Sequence, residues 1–315
     1  KHKDFFRDFR GDTIHPSTLE LMYELGLLET FLALPHQRID TLNGIFGGRE
    51  FPIADFTHLP THCKFVALMP QWDFLNFLAA QASRLSTFHL LMEHEVTGLI
   101  ESVSTANSSA RIIGVRANTP AGPVEIHAPL TVGCDGRHSI TRAAAHLPVK
   151  DIGAPIDVLW FRLSRREGEP ANALGNFNYG TGLGLFNRGD YFQCAFIIAK
   201  DSFANQIQPA GLQAFRDSLV RLVPFLADRV HEIADWSQTR LLSVQVNRLE
   251  RWHLPGLLCI GDAAHAMSPA GGIGINLAIQ DSVAAARILA EPLAAGPTRA
   301  IVTELTLAQI QHRRE

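Results

Sequence analysis

Apolar positions along the chain follow two rhythms. Short continuous runs closed by glycine read as buried strands, and runs spaced three and four apart read as helices. Leu257-Leu258-Cys259-Ile260, stopped at Gly261, is the clearest strand, and Leu130-Thr131-Val132-Gly133 is a second. Beyond Asn276, the residues Leu277, Ala278, Ile279, Val283, Ala284, Ala285 and Ala286 predict a helix whose N-terminus points back at the loop before it. A second helix is expected over 70–85, with Phe74, Leu78, Ala82 and Leu85 on one face and Pro70 at its start. A third carries Leu19, Met22 and Leu25, follows the capping box Ser17-Thr18-Leu19-Glu20 and stops at Gly26. From Leu90 to Ala128, short strands alternate with turns at Asn107-Ser108-Ser109 and Pro120-Ala121-Gly122, predicting a meander of about three strands.

The texture changes between Ile156 and Val246. Asp157–Leu163 and Tyr191–Ile198 read as aromatic-rich strands, and Gly182–Phe186 as another that pairs across a turn at Gly189. Ala210–Leu222 predicts an amphipathic helix packed on that sheet, and Leu42–Leu59 a hairpin turning at Phe46–Arg49. Past Pro297 the pattern predicts one more helix. The fold class is therefore mixed α/β, with a sheet region inserted between the two glycine-stopped strands. A chain of 315 residues, 46% of them hydrophobic, supports one large domain or two.

Charge and cysteines narrow the function. The net charge is −3 and no basic stripe with interleaved aromatics occurs, which excludes nucleic acid as a partner. Cys63, Cys134, Cys194 and Cys259 are scattered, without CxxC or metal spacing, and read as reduced, mostly buried thiols of a cytoplasmic protein. No histidine pair has ligand spacing on a shared face, so no metal is expected, and His265 reads as structural. No apolar run is expected to span a membrane, and no signal peptide is seen.

The chemistry concentrates at the strand ends. Asp262 follows Gly261, in the position beyond a strand's carboxyl end where open α/β sheets bind ligands. Pro269, Gly271, Gly272 and Gly274 follow within a few residues, then Ile275 and Asn276 open the helix, offering its positive end to an electron-rich group. Asp135 and Gly136 stand after the other strand. Asp135 either binds a ligand or caps the helix near His138.

The run GDAAHAMSPAGGIGINLAIQD, preceded in the chain by GCDGRHSITR, closely resembles the flavin motifs of the FAD-dependent aromatic hydroxylases, the class A flavoprotein monooxygenases. That resemblance implies a glutathione-reductase-type FAD-binding domain over residues 1–40, 62–152 and 248–315, and a substrate-binding sheet domain over 41–61 and 153–247. It implies that Asp262 binds the ribityl chain, that the Pro269–Asn276 loop lies beside the flavin ring, and that Asp135 contacts FAD while Arg137 and Arg142 meet phosphate. Arg10 and Gln71 match family positions that reach the flavin. Each is otherwise an ordinary residue ahead of or at the start of a helix. Trp160, Phe177, Tyr179, Phe192 and Phe196 are pocket liners on this reading and core residues on the plain one.

The implied activity is hydroxylation of an aromatic or related small molecule with NADH or NADPH and O2, through a flavin C4a-hydroperoxide, by a monomer or homodimer. Alternatives on the same frame are a flavin reductase, oxidase or halogenase, although the lysine in a Trp-rich context expected of a halogenase is not found. The strand and GxGxxG turn that open the family's sequences are not seen before Asp8-Phe9-Arg10, so the chain reads as a fragment, and a catalytically incompetent one is a further alternative. The Gly180-Thr181-Gly182-Leu183-Gly184 run does not replace that turn, because Gly189 turns the chain where a helix would be needed.

Overall fold

The computed structural model describes residues 1–6, 13–103, 110–169, 174–296 and 302–315. The expected turn at 107–109 and Arg10 lie outside the described residues. The chain forms two compact units. One comprises Lys1–Phe6, Gln71–Gly153 and Gln245–Glu315, and the other Arg7–Pro70 and Ala154–Val244.

The first unit is built on a parallel pair of three-residue strands, Thr131–Gly133 and Leu257–Cys259, with His253–Leu254 antiparallel on the outer side of the latter. Leu257, Leu258 and Cys259 are wholly buried because the unit's core closes over both faces of their strand. That core takes Leu99 and Ile112 from the meander, Ala285 and Leu289 from helix Gly274–Ala294, and Leu307 and Ile310 from helix Glu304–Arg314. The meander has the three expected strands, Glu95–Glu101, Ile112–Thr119 and Gly122–His127. Gly256 makes the turn into the Leu257 strand at φ +80°, and a Cβ there would meet the Ile112 carbonyl oxygen at 1.9 Å, so no other residue fits.

One segment bears on the expectation that no apolar run spans a membrane. Ala270–Ala294 is helix long and apolar enough to cross a membrane by length and composition. Its buried residues include Asn276 and Asp281, and Ala285 and Leu289 pack one of its faces into the unit's core.

The second unit holds a seven-stranded sheet ordered Arg240–Ser243, Ile156–Ser164, Tyr191–Ala199, Thr181–Asn187, Leu174–Asn178, Thr41–Phe46 and Arg49–Asp55. Every pairing is antiparallel except that of Leu174–Asn178 with Thr41–Phe46. The 41–55 hairpin turns through Gly47 and Gly48, both at positive φ, and joins the sheet through this parallel contact. Helix Leu212–Leu222 covers one face, pressing Phe215 and Leu219 onto Leu159, Phe161, Leu183, Leu185, Phe192, Cys194 and Phe196.

Residues 13–40 and 62–70 also fall in this unit, a different division from the 1–40 and 62–152 assignment drawn from the sequence. Val66–Leu68 pairs antiparallel with both Thr13–Ile14 and Gln37–Ile39, so backbone hydrogen bonds bind these segments to one another. The apolar side chains of Ile39, Val66 and Leu68 then pack with Leu42, Phe56 and Phe186. A second correction concerns the capping box. Helix Pro16–Glu24 begins at Pro16 with His15 before it and no side-chain cap, and Glu20 instead accepts hydrogen bonds from the main-chain N–H and ring of His62.

Phe192, wholly buried between the sheet and Phe225, tests this packing. Phe192→Ala is expected to lower unfolding stability by about 3–5 kcal/mol. A urea midpoint close to that of the unmodified protein would show that the position is not core.

Candidate functional site

The parallel register pairs Thr131 with Leu257, Val132 with Leu258 and Gly133 with Cys259, and Ile260 N–H donates to the Gly133 carbonyl at 3.0 Å. Both strands therefore leave the sheet at the same edge and level, which brings the Asp135 and Asp262 turns side by side. Two close approaches hold the flanking helices there. A Cβ on Gly133 would lie 2.3 Å from Thr141 Oγ1, and one on Gly261, at φ +60°, 3.0 Å from Ala278 Cβ. Each glycine lets a helix lie against the end of its strand.

Asp135 spends its carboxylate on the helix it precedes. Oδ1 accepts from Ser139 Oγ at 2.5 Å and Thr141 Oγ1 at 2.8 Å, while Oδ2 accepts from Thr141 N–H at 3.0 Å. Burial opposes its ionisation, but these hydrogen bonds outweigh it and hold the carboxyl below the usual carboxylate range. These are the contacts of the helix-capping reading left open by the sequence. Ser139 is the formal N-cap, accepting from Arg142 N–H at 2.9 Å. Gly136 turns the chain at φ +84°.

Asp262 is differently placed. Its side chain is 33% exposed, and Arg137 reaches it across the strand ends at 3.8 Å. A Cβ on Gly274, the first residue of the long helix, would come within 3.9 Å of both Asp262 Oδ1 and Met267. Asp262 thus faces the positive end of a 21-residue helix. Between them, Pro269 precedes a single turn at Ala270–Gly272 in which Gly271 and Gly272 take φ +71° and +62°. Asn276 is buried, and its Nδ2 donates back to the Gly272 carbonyl at 3.0 Å, pinning the loop to the helix. Ile275 lies half-buried beside it.

Arg142 acts as a strut. Its guanidinium donates to the main-chain carbonyls of Arg137 at 2.7 Å and Ala263 at 3.3 Å, and to Asn247 Oδ1 at 3.4 Å, tying the two turns together. An open cavity of about 440 Å³ lies alongside, lined among others by Arg137, His138, Arg142, His146, Gln245 and Asn247. Gln71, the remaining flavin candidate, is half-buried at the first position of helix Gln71–Ala82.

Sequence reasoning assigned no role to the last residue of the motif. Asp281 has no exposed surface and gathers Gly261 N–H, His265 and Arg314. The one signal for it was an acidic residue in a helix rich in alanine, leucine and isoleucine. Burial pushes its carboxyl up, but hydrogen bonds from His265, Arg314 and Gly261 prevail and keep it below the usual range.

In the second unit, strand parity divides the five aromatic candidates. Phe192 and Phe196 point to the helix side, where Phe196 packs on Phe215 at 5.5 Å, and both are core rather than pocket residues. The sequence could not separate them because Ala195 and Ile197 make the other face of Tyr191–Ala199 largely apolar as well, around Gln193. Tyr179 is fully exposed at the turn after Asn178. Trp160 and Phe177 lie on the opposite face. There Phe177 lies over the bare backbone of Gly175 and Gly182 and stacks on Phe46 at 4.9 Å, and Trp160 neighbours Phe186 at 6.1 Å. Among the described residues, two buried donors of this face, Trp160 Nε1 and Gln193 Nε2, have no hydrogen-bond partner.

Paired strands ending in acidic turns, a glycine loop feeding a helix and a separate mixed sheet make a two-unit α/β protein, the class to which the flavin-motif resemblance of the sequence points. The chain belongs to the FAD binding domain family, whose sequence profile matches residues 1–302. It is 30% identical over 299 residues, 91% of its length, to 6-methylpretetramide 4-monooxygenase of Streptomyces rimosus. The same fold occurs in PqsL, a probable FAD-dependent monooxygenase of Pseudomonas aeruginosa, with TM-score 0.77, 20% identity and coverage of 99% of this chain and 83% of that one. It also occurs in the myxobacterial chondrochloren halogenase CndH, with TM-score 0.79, 17% identity and coverage of 99% and 72%. The chain spans between 42% and 67% of the lengths of the first four curated relatives it matches.

The residues suit FAD. The partly exposed Asp262 carboxylate offers acceptors for hydroxyl groups, and the left-handed glycines with Gly274 leave a backbone surface without side chains beside it.

Asp281 gives the site a pH dependence. Its folded pKa lies below the unfolded value of about 3.9, so its contribution to stability is complete above about pH 5 and is lost as pH falls through the depressed folded value. The melting temperature of the protein is expected to fall more steeply below pH 5 than that of Asp281→Asn. Parallel profiles would refute the assignment.

Proposed function

We propose that the protein is an FAD-dependent monooxygenase that uses NADH or NADPH and O2 to hydroxylate an aromatic or related small molecule. The observation that carries this reading is Asp262, partly exposed beyond the Leu257 strand and facing the start of a 21-residue helix across a glycine loop. FAD, when bound, supplies the electron-accepting and oxygen-activating chemistry. In this reading Asp262 accepts hydrogen bonds from the ribityl hydroxyls. The Pro269–Asn276 loop, with Gly271, Gly272 and Gly274, gives the ring a flat backbone surface, and the positive end of the helix favours negative charge on it. Arg10, Gln71, Asp135, Gly136 and Gly261 belong to the same proposal, Asp135 and Gly261 by shaping the two turns.

The substrate is assigned to the sheet face that carries Trp160 and Phe177. Its support is an apolar, glycine-floored surface with two buried unpartnered donors, the pattern of sites that take a planar ligand bearing acceptor oxygens. The relatives' names, which include a pretetramide and a kynurenine monooxygenase, agree with such substrates.

Reconstitution with FAD should give a yellow protein that consumes NAD(P)H faster in the presence of a phenolic substrate and releases a product heavier by one oxygen. Asp262→Ala should weaken FAD about tenfold to a hundredfold, the equivalent of about 1.5–3 kcal/mol, while the melting temperature of the apo form stays unchanged. A large drop in the apo melting temperature would make Asp262 a structural residue instead.

A further inference from the structure

Asp281 lies within helix Gly274–Ala294, between Gln280 and Ser282, and has no exposed surface. Its Oδ2 accepts from Gly261 N–H at 2.9 Å and from His265 Nε2 at 2.6 Å, and its Oδ1 accepts from Arg314 Nε at 2.6 Å. The three partners come from three different segments: the turn after the Leu257 strand, the short strand His265–Ala266, and helix Glu304–Arg314. A buried ion pair is weak evidence for stability, because apolar residues of the same volume often do as well. An apolar residue has no acceptor for Gly261 N–H, however.

Gly261 is where the backbone turns out of the sheet at φ +60°, and its N–H faces the helix rather than a neighbouring strand. The peptide that carries this N–H is fixed by Asp281 Oδ2, and Asp262 leaves the chain one residue later. His265 shares the same oxygen, and its strand pairs Ala266 with Asn247 and His265 with Arg248, which anchors the far end of the turn.

We propose that Asp281 is the positioning residue for Asp262. Oδ2 holds the Gly261 turn in the orientation that points the Asp262 carboxylate toward the start of the helix, and Oδ1, through Arg314, serves only to dock the Glu304–Arg314 helix. The inference rests on the reading of Asp262 as a cofactor ligand. It assigns separate tasks to the two oxygens of one carboxylate.

The test is a double-mutant cycle on FAD affinity, read by quenching of flavin fluorescence, with the apo melting temperature measured alongside. Asp281→Ala should weaken FAD about tenfold in the unmodified protein and not at all in the Asp262→Ala background, because the affected contact is already gone. Asp281→Asn keeps an acceptor for Gly261 N–H and should restore FAD affinity to within about threefold of the unmodified protein, although it loses the charge facing Arg314 and melts lower. Arg314→Met should likewise melt lower and bind FAD normally. If Asp281→Ala does not fold alone, Asp281→Leu combined with Arg314→Met removes the acceptor and its half-buried cation together and takes its place in the cycle.

Additive losses in the double variant, or affinity that follows melting temperature across Asp281→Asn and Arg314→Met, would overturn the proposal and leave Asp281 as a structural ion pair. Unchanged FAD affinity in Asp262→Ala alone would instead overturn the cofactor role of Asp262 on which it rests. The two failures are therefore distinguishable.

Discussion

The structure depends on the parallel pairing of two strands only three residues long, Thr131–Gly133 and Leu257–Cys259. Neither carries enough hydrogen bonds to be stable alone. The pair survives because helices and the meander bury the Leu257–Cys259 strand and Gly133 beside it, and because two glycines let the helices approach the strand ends. Everything chemically distinctive in the first unit follows from that edge, since the register alone brings the Asp135 and Asp262 turns to the same level.

The two turns resemble each other in sequence, yet physical context gives them different work. The helix after Asp135 is a single short turn, and the carboxylate preceding it accepts from its N–H and hydroxyl groups. The helix after Asp262 begins a dozen residues later, so its start is offered to Asp262 across a loop rather than capped by it. In that second turn the task of satisfying the backbone passes to Asp281, twenty residues on.

Much of this was legible in the chain. Leu257–Ile260 and Leu130–Gly133 declared themselves as short apolar runs ending in glycine, and the hairpin at Gly47-Gly48 and the three-stranded meander by their turn residues. What escaped was whatever depends on partners distant in sequence. Val66–Leu68 is too short to show a period, and only its pairing with Thr13–Ile14 and Gln37–Ile39 reveals where it belongs. The Tyr191–Ala199 strand is largely apolar on both faces, so period-two reasoning could not tell Phe192 and Phe196 from pocket residues. The capping-box pattern at Ser17 failed because Pro16 already fits the first helical position and Glu20 is drawn off to His62. Asp281 was visible as an anomaly, but its partners were not.

The central strand pair joins segments more than a hundred residues apart in the chain, with the whole strand content of the seven-stranded sheet's 156–243 portion threaded between them. Contacts of that sequence separation form late in folding, because the closure entropy of the intervening loop must be met before they bring any gain. The meander and the 181–199 hairpin, both local, can form early. The Asp262 turn takes its place only once the two central strands have paired, so a cofactor that recognised it would select, and stabilise by mass action, the molecules that have completed that closure.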